Sequence, residues 1–75
     1  MQAMDAIKLC AIQSNTSLAS IGRSLGKADN MVSNYITRNT DPSASRVAAM
    51  LGVCGYALVA VQRDAVPVDA IVITA

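Results

Sequence analysis

Apolar residues recur three and four positions apart at Leu18, Ile21 and Leu25, and a second set follows at Met31, Val32, Tyr35 and Ile36. Each set marks one face of a short helix. Gly26 sits between them, and glycine accepts the left-handed conformation that ends a helix. Residues 16–38 therefore read as two helices joined by a tight turn, over about 17–24 and 29–37, with Thr16 able to cap the first. Upstream, Met4, Ile7, Leu9, Ala11 and Ile12 give residues 3–13 an apolar side, and Ser14 and Asn15 end it. Downstream, Asp41 and Pro42 open a fourth helix, Asp as cap and Pro at the first helical position, where its missing N–H costs nothing. Val47, Met50 and Leu51 are its inward residues and Gly52 its expected stop.

The pattern changes after Gly55. Residues 56–61 and 70–74 are rich in strand formers, and the polar stretch 62–69 with Pro67 suits a hairpin loop. The expected fold is mainly α with a C-terminal β-hairpin: a single domain over 1–75, a helical core over 1–52 and a hairpin over 56–75. Both expected strands are apolar on both faces, and a lone hairpin of that kind is not stable in water. One face can pack on the helices; the other, and the free edges, call for another chain. A homodimer is expected, with Tyr56, Leu58, Val59, Val61, Ile71, Val72 and Ile73 at its interface, either side by side or with the last strand swapped.

The helix pair resembles the Cro/repressor (XRE-like) helix-turn-helix family, and in particular its small Cro-like members. The residues that carry the likeness are Leu18, Ile21, Gly22, Leu25, Gly26, Val32 and Tyr35, in order. Gly22 stands where the family usually has Ala, Lys27 where an apolar residue is usual, and Ala28 where Ser or Thr is usual. The likeness covers about 50 residues, as far as Gly52. It implies a second helix laid in the DNA major groove, with base contacts at Ala28, Asp29, Asn30, Ser33, Asn34 and Thr37. Helical phase alone also turns Asn30, Ser33, Asn34 and Thr37 outward, away from Val32, Tyr35 and Ile36. Asn can bond adenine N6 and N7 together, and Ser or Thr can bond base edges or phosphate. Ser17, Arg23, Lys27 and Arg38 are candidates for the phosphate backbone. Each has a plainer alternative. Outward Asn and Ser can be merely solvated, Asp29 can serve only the helix end, Arg38 can cap carbonyls, and Tyr35 can be core rather than a stacking residue.

Composition adjusts this picture in three ways. Hydrophobic residues make up 53% of the 75-residue chain but aromatics only 3%, so the core must be aliphatic and small, which favours oligomerisation as extra support. Net charge is only +1; the basic surplus lies in residues 1–46, which hold Lys8, Arg23, Lys27, Arg38 and Arg46 against Asp5, Asp29 and Asp41. A strong non-specific DNA binder would carry more. Cys10 and Cys54 lie far apart and the chain has no His. Zinc ligand sets are therefore out of reach, and two buried free thiols are expected rather than a disulfide.

The function expected from these features is a dimeric, sequence-specific repressor of phage or mobile-element type. It would act on a pseudo-palindromic operator in double-stranded DNA, in the cytoplasm of a bacterial or phage-infected cell. The alternative is a protein-interaction module, an antitoxin or inhibitor using the helix pair or a sheet edge. An enzyme is not expected: with no His, no Glu and five scattered Asp, nothing assembles a nucleophile, a base and an orienting group. No cofactor, metal or small-molecule ligand is expected. The uncharged stretch 47–61 is shorter than the ~20 apolar residues a membrane span needs, and no signal peptide is apparent at the N-terminus.

Overall fold

The structure, a computed structural model, describes residues 1–74. Four α-helices follow in order: α1 Ala3–Gln13, α2 Leu18–Ser24, α3 Met31–Thr37 and α4 Ala44–Val53. A 3₁₀ turn, Arg63–Ala65, flanked by extended Gln62 and Val66, lies in a tail otherwise without helix or strand among the described residues. No helix is long and apolar enough to cross a membrane among the described residues.

The core is aliphatic, as composition requires. Met4, Ile7, Cys10 and Ala11 of α1 meet Ile21 of α2, Val32 of α3, and Val47, Met50 and Leu51 of α4, with Cys54 at the end of α4. α1 packs on α4, and α2 touches both α3 and α4. Tyr35 and Ile36 are half-buried at the margin, so Tyr35 belongs to the packing of the helices. Ile12, expected on the inner side of α1, is 77% exposed. The inner face of α1 passes instead through Ala6 and Cys10.

α2 and α3 have only seven residues each, too short to be stable alone. Their ends are therefore instructive. All four helices stop in the same way, with a left-handed residue just past the cap: Asn15, Gly26, Asn39 and Gly55. In each case the next residue's N–H returns to a carbonyl in the last turn: Thr16 to Ala11, Lys27 to Gly22, Thr40 to Tyr35 and Tyr56 to Leu51. This is the Schellman ending, which satisfies otherwise orphaned carbonyls. Gly55, not Gly52, is thus the stop of α4. At the other end, Ser17 rather than Thr16 caps α2, accepting from the Ser20 N–H at 3.1 Å. The Thr16 hydroxyl lies 2.9 Å from that of Ser14 instead. Ser43, not Asp41, caps α4, accepting from the Arg46 N–H at 3.2 Å.

The turn between α2 and α3 is a backbone-on-backbone seam. A Cβ on Gly22 would stand 2.4 Å from the Ala28 carbonyl oxygen. That same oxygen accepts the Met31 N–H at 3.1 Å, and the Gly22 carbonyl accepts the Lys27 N–H at 2.9 Å.

The expected β-hairpin is absent: no strand forms among the described residues. Residues 57–61 have no regular secondary structure and are exposed, and the chain does not double back to pair with them. The 3₁₀ turn at Arg63–Ala65 and a second turn, closed by Ala70 N–H to the Pro67 carbonyl at 3.1 Å, redirect it. The last segment lies against the N-terminus. Thr74 N–H donates to the Met1 carbonyl at 2.8 Å, and the Met1 amine donates to the Val72 carbonyl at 3.0 Å. Ile71 and Ile73 turn inward on the helical core while Val72 and Thr74 face out. The period-two alternation is real, but it serves packing against helices, and a hairpin would have to give up that packing. The expected 56–75 unit also includes Ala75, which lies outside the described residues.

Cys10 and Cys54 are both buried free thiols in this core. Burial, and then the proximity of Cys54, push the Cys10 thiol above its ordinary value.

Two expectations follow. Gly22→Ala should destabilise the protein by about 1–3 kcal/mol, the usual range for overpacking, although Ala is the better helix former by about 1 kcal/mol; urea unfolding followed by circular dichroism reads the sign. The raised Cys10 thiol means that the folded state holds its proton more tightly than the unfolded chain does. Its contribution to stability is full below the unfolded value of about 8.5 and is lost as pH rises through the folded one. The alkaline slope of the urea midpoint should be shallower in Cys10→Ala than in the parent.

Candidate nucleic-acid interface

α3 buries one side and offers the other. Val32 is fully buried, which fixes the rotation of the helix. Asn30, Ser33 and Thr37 are exposed and Asn34 is half-buried. These four positions, spaced three and four apart, form a single polar row. Ala28 and Asp29 precede it, both exposed, at the entry to the helix. The helix begins two residues later than the sequence pattern predicts, with Asn30 at its N-cap position and no side-chain capping bond.

Asn34 does not stand alone. With Met31, Tyr35, Arg38 and Thr40 it lines a shallow groove of about 260 Å³ on the outer side of α3. The groove combines an amide, a guanidinium, a hydroxyl and an aromatic ring, which suits contact with a polar, edge-on ligand. Arg46 approaches the same helix from α4: its Nη1 lies 3.1 Å from the Met31 sulfur. Sequence reasoning did not single out Arg46. The signal was its place beside Val47 in the first turn of α4, from where a long side chain must lie along the neighbouring helix.

The remaining backbone candidates are arranged as a chain along α2. Ser17 Oγ lies 2.8 Å from Ser20 Oγ, which in turn accepts from Arg23 Nη2 at 3.3 Å. Arg23 Nη1 donates to Asp29 Oδ2 at 3.2 Å. The Ser17 hydroxyl is thus engaged within α2, and Arg23 crosses the turn to a carboxylate. Lys27 and Arg38 are exposed. The polar row of α3, Lys27, the Arg23–Asp29 pair and Arg38 all belong to the α2–turn–α3 unit.

The tail residues expected at a dimer interface divide into two groups. Tyr56, Leu58, Val59, Val61 and Val72 are on the surface. Ile71 and Ile73 are half-buried against the protein's own core. The Tyr56 hydroxyl donates to Gln13 Oε1 at 2.5 Å, which ties the start of the tail to the end of α1.

In comparisons with known proteins, no family model matches this chain, and no curated protein or solved structure matches it. The functional reading therefore rests on the geometry and on the residue pattern.

Proposed function

We propose that this protein is a sequence-specific double-stranded DNA-binding regulator. It would dock α3 in the major groove and act as a homodimer on a pseudo-palindromic site, as phage-type repressors do. The observation that carries the reading is the closely packed α2–turn–α3 unit: a seam too close for a Cβ at Gly22 joins α2 to an α3 whose outer row is Asn30, Ser33, Asn34 and Thr37. A helix of this size fits the major groove, and Asn and Ser/Thr are side chains that read base edges there. Lys27 and Arg38, with Arg46 added, are the cations for the phosphates. Asn34 is the strongest candidate for specificity, because it lies on the outward row of α3 and lines a groove with Tyr35 and Arg38.

The second copy would be held by the tail. Leu58, Val59, Val61 and Val72 are exposed, Val59 by 70%. Residues 56–61 are uncharged and lack regular secondary structure, so nothing in the charge of that stretch opposes association with itself. The same patch also favours a second reading, a protein-interaction module in the manner of an antitoxin or inhibitor, in which the tail engages a different protein.

Selection from a pool of random duplexes at near-physiological salt tests the first reading. The expected product is an inverted repeat with half-sites about 34 Å apart, one helical turn. A folded protein that enriches nothing would shift the reading to a protein partner. On the selected site, Asn34→Ala should cost about 1–3 kcal/mol, with little change on random DNA; equal losses on both would remove Asn34 from the specificity residues. For the dimer, sedimentation at micromolar concentration should give twice the monomer mass, and Val59→Lys should return it to monomer. A monomeric parent protein would sink the dimer.

A further inference from the structure

We propose that Asp29 is an internal stand-in for a DNA phosphate, which occupies Arg23 and so suppresses binding to arbitrary sequence. The inference deepens the DNA-binding reading and rests on it. Its basis is the ion pair between Arg23 Nη1 and Asp29 Oδ2 at 3.2 Å. The pair bridges the last turn of α2 and the entry to α3, the corner nearest the bases if α3 enters the groove. Arg23 is also held through Nη2 on Ser20 Oγ, so its guanidinium has an acceptor on each side.

Three features favour a screening role over a structural one. The Asp29 carboxylate accepts from Arg23 rather than from a backbone N–H at the entry to α3. Both partners are open to solvent, 56% for Arg23 and 66% for Asp29, and exposed pairs contribute little to folding. The fold is held by the Gly22 seam and the buried aliphatic residues instead. A carboxylate and a phosphate also present the same kind of acceptor to a guanidinium. A phosphate can therefore take the place of Asp29, but the displaced carboxylate then faces a polyanion.

The effect on specificity follows from the low charge of the chain. With a net charge of +1, each cation at the α2–α3 corner carries a large share of the attraction to DNA. Masking Arg23 leaves Lys27 and Arg38 as the cations of the helix pair itself. Non-specific affinity is almost wholly electrostatic, so it falls most. At a cognate site the base contacts of α3 add their own free energy, and the ratio of specific to non-specific binding rises.

The test compares the parent protein, Asp29→Asn and the double variant Asp29→Asn/Arg23→Gln on a random-sequence duplex. Fluorescence anisotropy is measured over a salt series from about 50 to about 200 mM, and circular dichroism verifies that each protein is helical. Asp29→Asn should bind random duplex more tightly, and its plot of log affinity against log salt should steepen by about 0.9, the increment for one more neutralised phosphate. Adding Arg23→Gln should abolish that gain. Parent binding with no steeper slope in Asp29→Asn overturns the screen while leaving the DNA reading in place. So does a gain that survives Arg23→Gln, because loss of a negative charge would then be the whole effect. Weaker binding by Asp29→Asn overturns it too, since Asp29 would then be a contact in its own right. If all three folded proteins stay off the duplex at the lowest salt, the DNA reading falls and the screen falls with it.

Discussion

The close approach at Gly22 is the constraint on which the arrangement of the helices turns. A carbonyl oxygen of the turn occupies the space where any other residue would carry its Cβ. The contact sets the distance between α2 and the entry to α3, and through the Ala28–Met31 hydrogen bond it also sets where α3 begins. Val32 then drops into the core beside Ile21, which fixes the rotation of α3 and with it the direction of its polar row. A small residue is what such a helix junction needs at this position. Here the fit is tighter than Ala permits, and glycine's cost in helix propensity is offset by the approach it makes available.

Short helices make the chain unusually reliant on how they end. Hydrogen bonds inside a seven-residue helix satisfy only a minority of its backbone groups. The left-handed endings at Asn15, Gly26, Asn39 and Gly55 recover carbonyls that would otherwise be orphaned, and they also turn the chain sharply toward the next element. Two of the four are asparagines, the side chain that tolerates this region best after glycine. This economy lets a core with no aromatic residue in its centre organise four helices.

The helical half was largely legible in the sequence because its signals are local. The bounds of α1, the apolar phase of α2 and α3, and the inward set Val47, Met50 and Leu51 follow from spacing alone. The caps were displaced by one or two residues, since Thr16 and Ser17, or Asp41 and Ser43, offer equivalent oxygens and only the backbone path selects between them. The tail was misread for a physical reason. Alternating apolar residues report that one face will be buried, not what will bury it. Ile71 and Ile73 find the helices, and the backbone beside them finds Met1, about seventy residues away in sequence. Of the candidate site, the outward row of α3 was legible from phase. The Arg23–Asp29 pair spans a turn at a spacing that no helical periodicity encodes, and Arg46 reaches Met31 only through the packing of α4.

The two unusual properties of the chain, its weak charge and its bare apolar tail, make sense together on the proposed reading. One copy offers few cations to a duplex, and screening of Arg23 leaves fewer, so a single domain would hold DNA weakly and sample sequence loosely. Doubling the chain doubles the phosphates neutralised and steepens the salt dependence in proportion, while the two polar rows are read jointly. The exposed residues 57–61 would supply uncharged apolar surface for that doubling. On that proposal selectivity would come from requiring two correct half-sites at one spacing rather than from strong attraction to any one. In such a design a masked arginine would not be a defect: it would keep the single copy weak, so that occupancy would follow the concentration of the assembled pair.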